Sequence, residues 1–293
     1  MAAIEVSNLR KYFGKTKAVD GVSFAVEKGD MFGFLGPNGA WKTTAIRCMM
    51  DFIRPLEGSI TILGMDAQKD SVAVKKEIGY LPGNVHLYGK WTGQTHIDFV
   101  RQLSGGKDIS QDLMRRLGFD PTVKTKHLSS GNKQKLGLIL AFMTNPEVLM
   151  LDEPTLGLDP LLQNEVYELL DELTRSGSTV FMSSHNLAEV DRVCSQVGII
   201  KKGKMVATES ITALKEKKIN VINAHFDHPV NKDDFVDENT ELVKEFTNGL
   251  MLRVKGDINP VIGKLSNHTL TNIEISQPSL EDIFMEYYSD SEE

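Results

Sequence analysis

Apolar and polar residues alternate through the first thirty positions. Ile4, Val6 and Leu9 precede a turn at Gly14-Lys15, and Val19, Val22, Phe24 and Val26 follow it. This predicts two strands within residues 3–30, closed by the turn chemistry of Glu27-Lys28-Gly29-Asp30. The pattern then becomes continuous. Met31 to Leu35, Val148 to Leu151 and Val180 to Met182 are unbroken apolar runs, as expected of strands covered on both faces of a parallel sheet. Ser59 to Leu63, Lys75 to Leu81 (stopped by Pro82) and Val197 to Ile200 read as further strands. Thr44 to Asp51 is a helix-forming run. A longer helix starts at Asp159-Pro160, repeats Leu162, Val166, Leu169, Leu170 and Leu173 at helical spacing, and ends at Gly177.

Between 84 and 127 strand patterning stops. Thr95–Leu103 and Ile109–Leu117 have amphipathic helical spacing around Ser104-Gly105-Gly106, and Leu136–Met143 forms a long apolar helix. A helical insertion over about 84–145 is the expected arrangement. The charged helix Thr212–Lys218 marks a boundary, which gives a first domain over 1–217. Beyond it Ile219–Phe226, Leu250–Val254 and Ile273–Ile275 read as strands, and Asn259–Leu265 and Leu280–Tyr287 as helices. They predict a small α+β domain over 218–288, followed by an acidic tail, 289–293. No repeat or low-complexity segment is visible.

The 293 residues carry 33 Lys and Arg against 40 Asp and Glu, a net charge of −7. That balance does not suggest a nucleic-acid surface. Cys48 and Cys194 have no metal or redox spacing and read as small apolar residues. The N-terminus lacks a basic region followed by an apolar stretch, and no run approaches the ~18 apolar residues that would cross a bilayer. Attachment to a membrane is therefore expected only through a partner.

The chemistry gathers at Gly36-Pro37-Asn38-Gly39-Ala40-Trp41-Lys42-Thr43-Thr44, between a strand and a helix. This is the layout of a P-loop. Successive backbone amides form an anion cradle, Lys42 reaches the outer phosphates, and the Thr43 hydroxyl ligates Mg²⁺. Trp41 departs from the pattern, which has glycine immediately before the lysine. If that position needs a positive φ, an indole there costs roughly 1–2 kcal/mol in backbone strain. Asp152 and Glu153 emerge where an apolar strand ends, the place where open α/β sheets bind ligands. Asp152 reads as a holder of Mg²⁺ and Glu153 as the group polarising a water, against the alternative of solvated turn acids. Leu128-Ser129-Ser130-Gly131-Asn132 opens a helix with free amides, where Ser129 or Ser130 can serve simply as the N-cap. His185 ends another strand beside these carboxylates. Tyr12 and Phe13, next to the first turn, either stack on a purine base or pack on the sheet. His225 and His228 read as structural, and Asp233, Asp234, Asp237 and Glu238 as a solvated acidic loop.

Taken in order, these segments resemble the ATP-binding cassette (ABC) family of transporter ATPases over residues 3 to about 210. Gly36–Thr44 resembles Walker A, Leu128–Asn132 the signature motif, Leu149–Glu153 Walker B, Leu158-Asp159 the D-loop, and His185 the switch histidine. Phe13 best matches the aromatic that stacks on adenine, with Tyr12 the alternative. Leu81-Pro82-Gly83, Gly131–Lys135 and Pro278–Phe284 are similar to the export-type branch related to sodium, antibiotic and bacteriocin exporters. The resemblance implies an α/β P-loop NTPase fold, an ABC cassette with antiparallel β and helical subdomains. It implies ATP and Mg²⁺ as cofactors, a transmembrane permease as partner, and a cytoplasmic position at the inner face of the membrane. It also implies a head-to-tail homodimer or paired cassette, with ATP between Walker A of one copy and Ser129 and Gly131 of the other, close to Asp159. Glu153 would be the base, His185 and Lys42 contacts to the γ-phosphate, and Asp152 and Thr43 metal ligands. Gly83 stands where most cassettes have a glutamine, with Asn84 beside it, and Ser130 replaces a signature glycine. Trp41 leaves a second reading, a nucleotide-impaired cassette acting as a dimerisation or regulatory partner. A soluble cassette of translation or DNA repair would carry paired cassettes or long coiled-coil insertions, and this chain has neither.

Overall fold

The structure is a computed structural model and describes residues 2–104, 108–216 and 219–276. The chain runs through β1 (Ala2–Phe13), β2 (Thr16–Glu27), β3 (Met31–Leu35), α1 (Lys42–Met49), β4 (Glu57–Ile62), β5 (Met65–Asp66), α2 (Ser71–Lys76) and β6 (Ile78–Leu81). Helices α3 (Gly93–Ser104), α4 (Ser110–Arg116) and α5 (Ser130–Phe142) follow. The chain returns through β7 (Val148–Asp152), α6 (Pro160–Arg175), β8 (Thr179–Ser184), α7 (Leu187–Val193), β9 (Gln196–Lys201) and β10 (Lys204–Ser210). The first of two compact units ends at Glu209.

This unit contains two sheets. The alternating N-terminal segment makes an antiparallel sheet in the order β2-β1-β4-β5. The apolar runs make a six-stranded sheet in the order β10-β9-β3-β8-β7-β6, parallel from β6 to β9. β3, β7 and β8 are buried along their whole length, which is why their sequences show no alternation. Between the sheets Phe24 of β2 stacks on Phe32 and Phe181, with ring centroids 5.3 and 5.5 Å apart. Each buried aromatic of this kind contributes roughly 1.5–3 kcal/mol by leaving water. On the opposite face of β3, Val190 and Cys194 at α7 press so close to Gly33 that a Cβ there would meet Val190 Cγ1 at 2.7 Å.

The second unit begins at Ser210. It holds α8 (Ile211–Glu216), β11 (Ile219–Phe226), β12 (Thr240–Phe246), β13 (Gly249–Lys255), α9 (Asn259–Leu265) and β14 (Leu270–Ser276). Its antiparallel sheet has the order β12-β13-β11-β14, and its core gathers Ile222, Phe226, Phe235, Leu252 and Val261. The charged helix α8 falls in this unit, whereas the sequence suggested a boundary after it. The expected helix Leu280–Tyr287, the Pro278–Phe284 segment and the acidic tail lie outside the described residues.

Several elements differ from the sequence reading. α5 starts at Ser130 rather than Leu136: its first turn, Ser130 to Lys133, carries no apolar side chain, so apolar periodicity begins later than the helix itself. α1 likewise starts at Lys42. The short helices α2 and α7 and the strands β10 and β12 were not expected. β12 is an edge strand with a register shift between Leu242 and Lys244, which interrupts its alternation. In the acidic loop Asp237 is not merely solvated but accepts from Lys264 Nζ at 2.7 Å. Cys48 and Cys194 are free and buried, and burial pushes the Cys48 thiol up to about 11.

Candidate nucleotide-binding site

The parallel register brings the motifs together. Leu35 of β3 pairs with Ser184 of β8, Asp152 of β7 with Ser183, and Leu81 of β6 with Leu151. Four strands thus end level, and Gly36, Gly83, Glu153 and His185 each follow one of those ends. An open cleft of about 700 Å³ lies there, lined by residues Pro37 to Thr44 on one side and by Asp152, Glu153, Tyr80, Asn84 and His86 on the other.

The P-loop wall is built from backbone. Gly39 has φ 82, a conformation in which glycine is nearly free of strain. Trp41 also has a left-handed conformation, φ 72 and ψ 25, and its side chain makes no capping hydrogen bond. The condition set by the sequence is therefore met: the position before the lysine needs a positive φ and an indole occupies it. Lys42 is 6% exposed; its Nζ donates to Gly36 O at 2.5 Å and lies 3.3 Å from Glu153 Oε1.

The acidic wall is built from side chains. Asp152, 1% exposed, accepts from Thr43 Oγ1 at 2.8 Å on one oxygen and from Ser183 Oγ at 2.6 Å on the other. Glu153 has φ 53. Its backbone N donates to the Ser183 carbonyl and hydroxyl oxygens, each at 3.2 Å, and its carbonyl accepts from Gln134 Nε2 at 3.3 Å. Its second carboxylate oxygen meets His185 Nδ1 at 2.8 Å. Lys42 and His185 thus approach opposite oxygens of one carboxylate, next to an aspartate that holds the P-loop hydroxyl.

Phe13 does not line the cleft itself; it stands beside Trp41, ring centroids 6.3 Å apart. Its rival Tyr12 is tied elsewhere, donating from its hydroxyl to Asp20 Oδ1 at 2.6 Å. Ser129, Gly131 and Asp159 do not line this cleft either. Ser129 is the N-cap of α5, accepting from Asn132 N, and Asp159 caps α6 through Leu161 N and Leu162 N. Both lie exposed, as does Ser130, and Gly131 is half-buried. At Gly83 a Cβ would come within 2.9 Å of Asp152 Oδ2, so the departure from glutamine goes with close seating of this turn on the carboxylate. Asn84 lines the cleft next to it. Sequence reasoning missed Ser183 and Gln134, which hold the acidic wall, and His86 and Arg47, which line the cleft. Ser183 carried one usable signal, since it precedes His185 at the end of a strand in the same sheet as Asp152.

The donor set suits a hard cation completed by phosphate. One carboxylate and one hydroxyl, already 2.8 Å apart, are the sparse oxygen ligands that Mg²⁺ accepts alongside phosphate oxygens. The strand–turn–helix amides ahead of α1 suit the phosphates themselves.

Comparison with known proteins agrees. Residues 19–156 match the ABC transporter family. The chain is 31% identical over 99% of its length to an uncharacterized ABC transporter ATP-binding protein, YhcH, of Bacillus subtilis, covering 97% of that protein. It is 34% identical over 72% of its length to the linearmycin resistance ATP-binding protein LnrL of the same organism, covering 70% of it. The solved structure of an ATP-binding subunit of an ABC transporter superposes with a TM-score of 0.68 at 27% identity, covering 73% of this chain and 92% of that one. With its P-loop, acidic pair and histidine level at the ends of one sheet's strands and one relative matched over nearly the full length, the chain belongs to the ABC transporter ATP-binding proteins.

Proposed function

We propose that the chain is the Mg²⁺-dependent ATPase subunit of a membrane exporter. The observation that carries the hydrolytic reading is the meeting of Lys42 and His185 on the two oxygens of Glu153, next to the Thr43–Asp152 contact. Lys42 turns from Glu153 to the outer phosphates of ATP when these enter the cradle of residues 36–44. Thr43 and Asp152 are the residues that would hold magnesium. When bound, the ion supplies charge neutralisation on the phosphate oxygens. Glu153, released from Lys42, accepts a proton from the water that attacks the γ-phosphorus, while His185 contacts the γ-phosphate and the β–γ bridging oxygen leaves with ADP. Phe13 stacks on the base.

The exposed signature turn and Asp159 fit a second cassette facing the cleft, so that Ser129 and Gly131 of that copy close on the nucleotide. In a two-fold pair both sites are alike. The motion of closure and release passes through the helical insertion, about 84–145, to a transmembrane permease at the inner face of the membrane. Among the described residues no helix is long and apolar enough to cross a bilayer. Export rests on the resistance named for one relative and on the branch resemblance of the motifs. The second unit, beginning at Ser210, is an accessory domain.

Trp41 weakens nucleotide binding without removing the catalytic groups. A calorimetric titration of MgATP against the chain, followed by phosphate release with and without Mg²⁺, tests the reading. Magnesium-dependent release is the expected result. No binding by the chain or by Trp41→Gly at millimolar ATP would overturn it.

A further inference from the structure

Behind the acidic wall lies a carboxyl group that the hydrolytic reading does not use. Glu189 of α7 is 3% exposed. One of its oxygens accepts from Thr155 Oγ1 at 2.8 Å and the other from Ser184 Oγ at 2.5 Å. Thr155 belongs to the turn that continues from Glu153 and Pro154, and Ser184 immediately precedes His185. Ser184 also accepts from Asn186 N at 2.9 Å, and Asn186 caps α7 by accepting from Ala188 N at 3.0 Å. One side chain therefore ties together the two segments that carry Glu153 and His185.

We propose that Glu189 is a positioning residue for the hydrolytic site, holding the Thr155 turn against the Ser184 strand end and thereby fixing the Glu153–His185 contact. The geometry argues for this in three ways. Both oxygens are engaged, so the group is placed in rotation as well as in position. Each partner lies one or two residues from a group assigned to the reaction. The Thr155 turn also leads into residues 156–159, where Leu156 is 53% exposed and Asp159 caps α6, so a slack clamp loosens that exposed turn too. Misplacement of catalytic groups by about 1 Å is enough to cost roughly 10²-fold in rate.

The inference rests on the proposed hydrolysis, and the test separates the two. Wild type, Glu189→Ala, Glu189→Gln and Thr155→Val are compared after thermal unfolding has confirmed a folded chain. Glu189→Ala is expected to lower kcat roughly 10–100-fold while KM for MgATP stays within about twofold, the pattern of an interaction that matters at the transition state. Glu189→Gln is expected to restore most of the rate, because serine and threonine hydroxyls can donate to its carbonyl and accept from its amide. Thr155→Val removes one of the two tethers and is expected to fall between them. In parallel, ¹⁵N NMR of His185, assigned by His185→Ala, reads the Glu153 contact without any turnover. Loss of the hydrogen-bonded Nδ1 signal in Glu189→Ala and its retention in Glu189→Gln are expected. An unchanged His185 signal in Glu189→Ala overturns the clamp even if wild type hydrolyses nothing. Wild-type turnover in Glu189→Ala overturns it too. An inactive wild type that shows the expected His185 changes overturns the hydrolytic reading alone and supports the clamp.

Discussion

Each wall of the cleft holds one non-glycine residue in the left-handed region, Trp41 at φ 72 and Glu153 at φ 53, and the two are supported very differently. Glu153 is fastened at every polar group: its amide to Ser183, its carbonyl to Gln134, its carboxylate oxygens to Lys42 and His185. Trp41 makes no side-chain capping bond and has the Phe13 ring 6.3 Å away. Strain of about 1–3 kcal/mol persists at a site when the surroundings over-determine it. On the acidic wall that condition holds. On the P-loop wall the strained residue is instead carried by the strand and helix on either side of it, whose pairing would be the same with glycine in its place. The strain at Glu153 aims a functional group, whereas the strain at Trp41 adds a bulky ring to a loop whose work is done by main-chain amides.

The largest test of this contrast is Glu153→Gln. The amide keeps the shape of the side chain and accepts no proton at neutral pH. Removing a general base costs roughly 10²–10⁴-fold in rate, so phosphate release is expected to fall by that factor while ATP still binds. A variant that hydrolyses at the wild-type rate would remove Glu153 from the chemistry and leave its left-handed turn without a purpose.

Next in size is Ser183→Ala, which attacks the support rather than the group supported. Ser183 is fully buried, and its hydroxyl both donates to Asp152 Oδ1 and accepts from Glu153 N. The substitution leaves a buried carboxylate oxygen without its donor, a cost of about 1–3 kcal/mol. Chemical denaturation should show a loss of this size, and the magnesium dependence of turnover should weaken with it. No change in stability would mean that the acidic wall is less firmly fastened than its hydrogen bonds imply.

Ser183 also shows where the sequence stops being legible. Gly36 to Thr44 and Val148 to Glu153 can be read because their chemistry is local: neighbouring amides around one anion, and two acids at the end of one apolar run. The support of Glu153 comes from residues distant along the chain, Gln134 on α5 and Ser183 on β8; nothing around Gln134 announces a partner, and Ser183 is marked only by its place at a strand end before His185. The fold divides in the same way. Strands buried on both faces stand out as apolar runs. Helix α7 does not, because Leu187–Val193 is short and follows a motif that reads as a turn. Nor does the polar first turn of α5, although it carries Ser130 and Gly131. Trp41 is the reverse case: the sequence marked it as a departure, but only the backbone angle turned a conditional strain into an actual one.

Trp41→Gly tests the other wall and is expected to act in the opposite direction. Relief of about 1–2 kcal/mol of left-handed strain is partly offset in the fold by the greater freedom of glycine in the unfolded chain, about 0.4–1 kcal/mol. Global stability should therefore change little. ATP affinity should rise by roughly tenfold, about 1.4 kcal/mol, because the indole leaves the cleft; the strain is already present without nucleotide and drops out of the binding difference. Isothermal titration of both chains measures this directly. Equal affinities would show that the ring already lies clear of the nucleotide.

The smallest expected effect lies behind the acidic wall, in the pH dependence of stability. Burial pushes the Glu189 carboxyl above its ordinary value of 4.5; the hydroxyls of Ser184 and Thr155 pull it down, nearby Glu153 pushes it up and His185 pulls it down, and the net direction is upward. Tyr167 and Cys194 also face it, both with pKa values raised mainly by burial. A carboxyl group with a raised folded pKa binds more protons in the folded chain than in the unfolded one. Its contribution to stability is therefore complete below 4.5 and is lost as the pH rises through the folded value. Glutamine at this position mimics the neutral form and does not titrate. The stability of wild type relative to Glu189→Gln, read from denaturant midpoints, should fall as the pH rises from below 4.5 towards neutrality. The opposite slope would mean that the two hydroxyls and His185 hold the group ionised despite its burial. The clamp would then be a charge facing Glu153 across the turn, and the acidic wall would be held together against repulsion rather than by neutral hydrogen bonds.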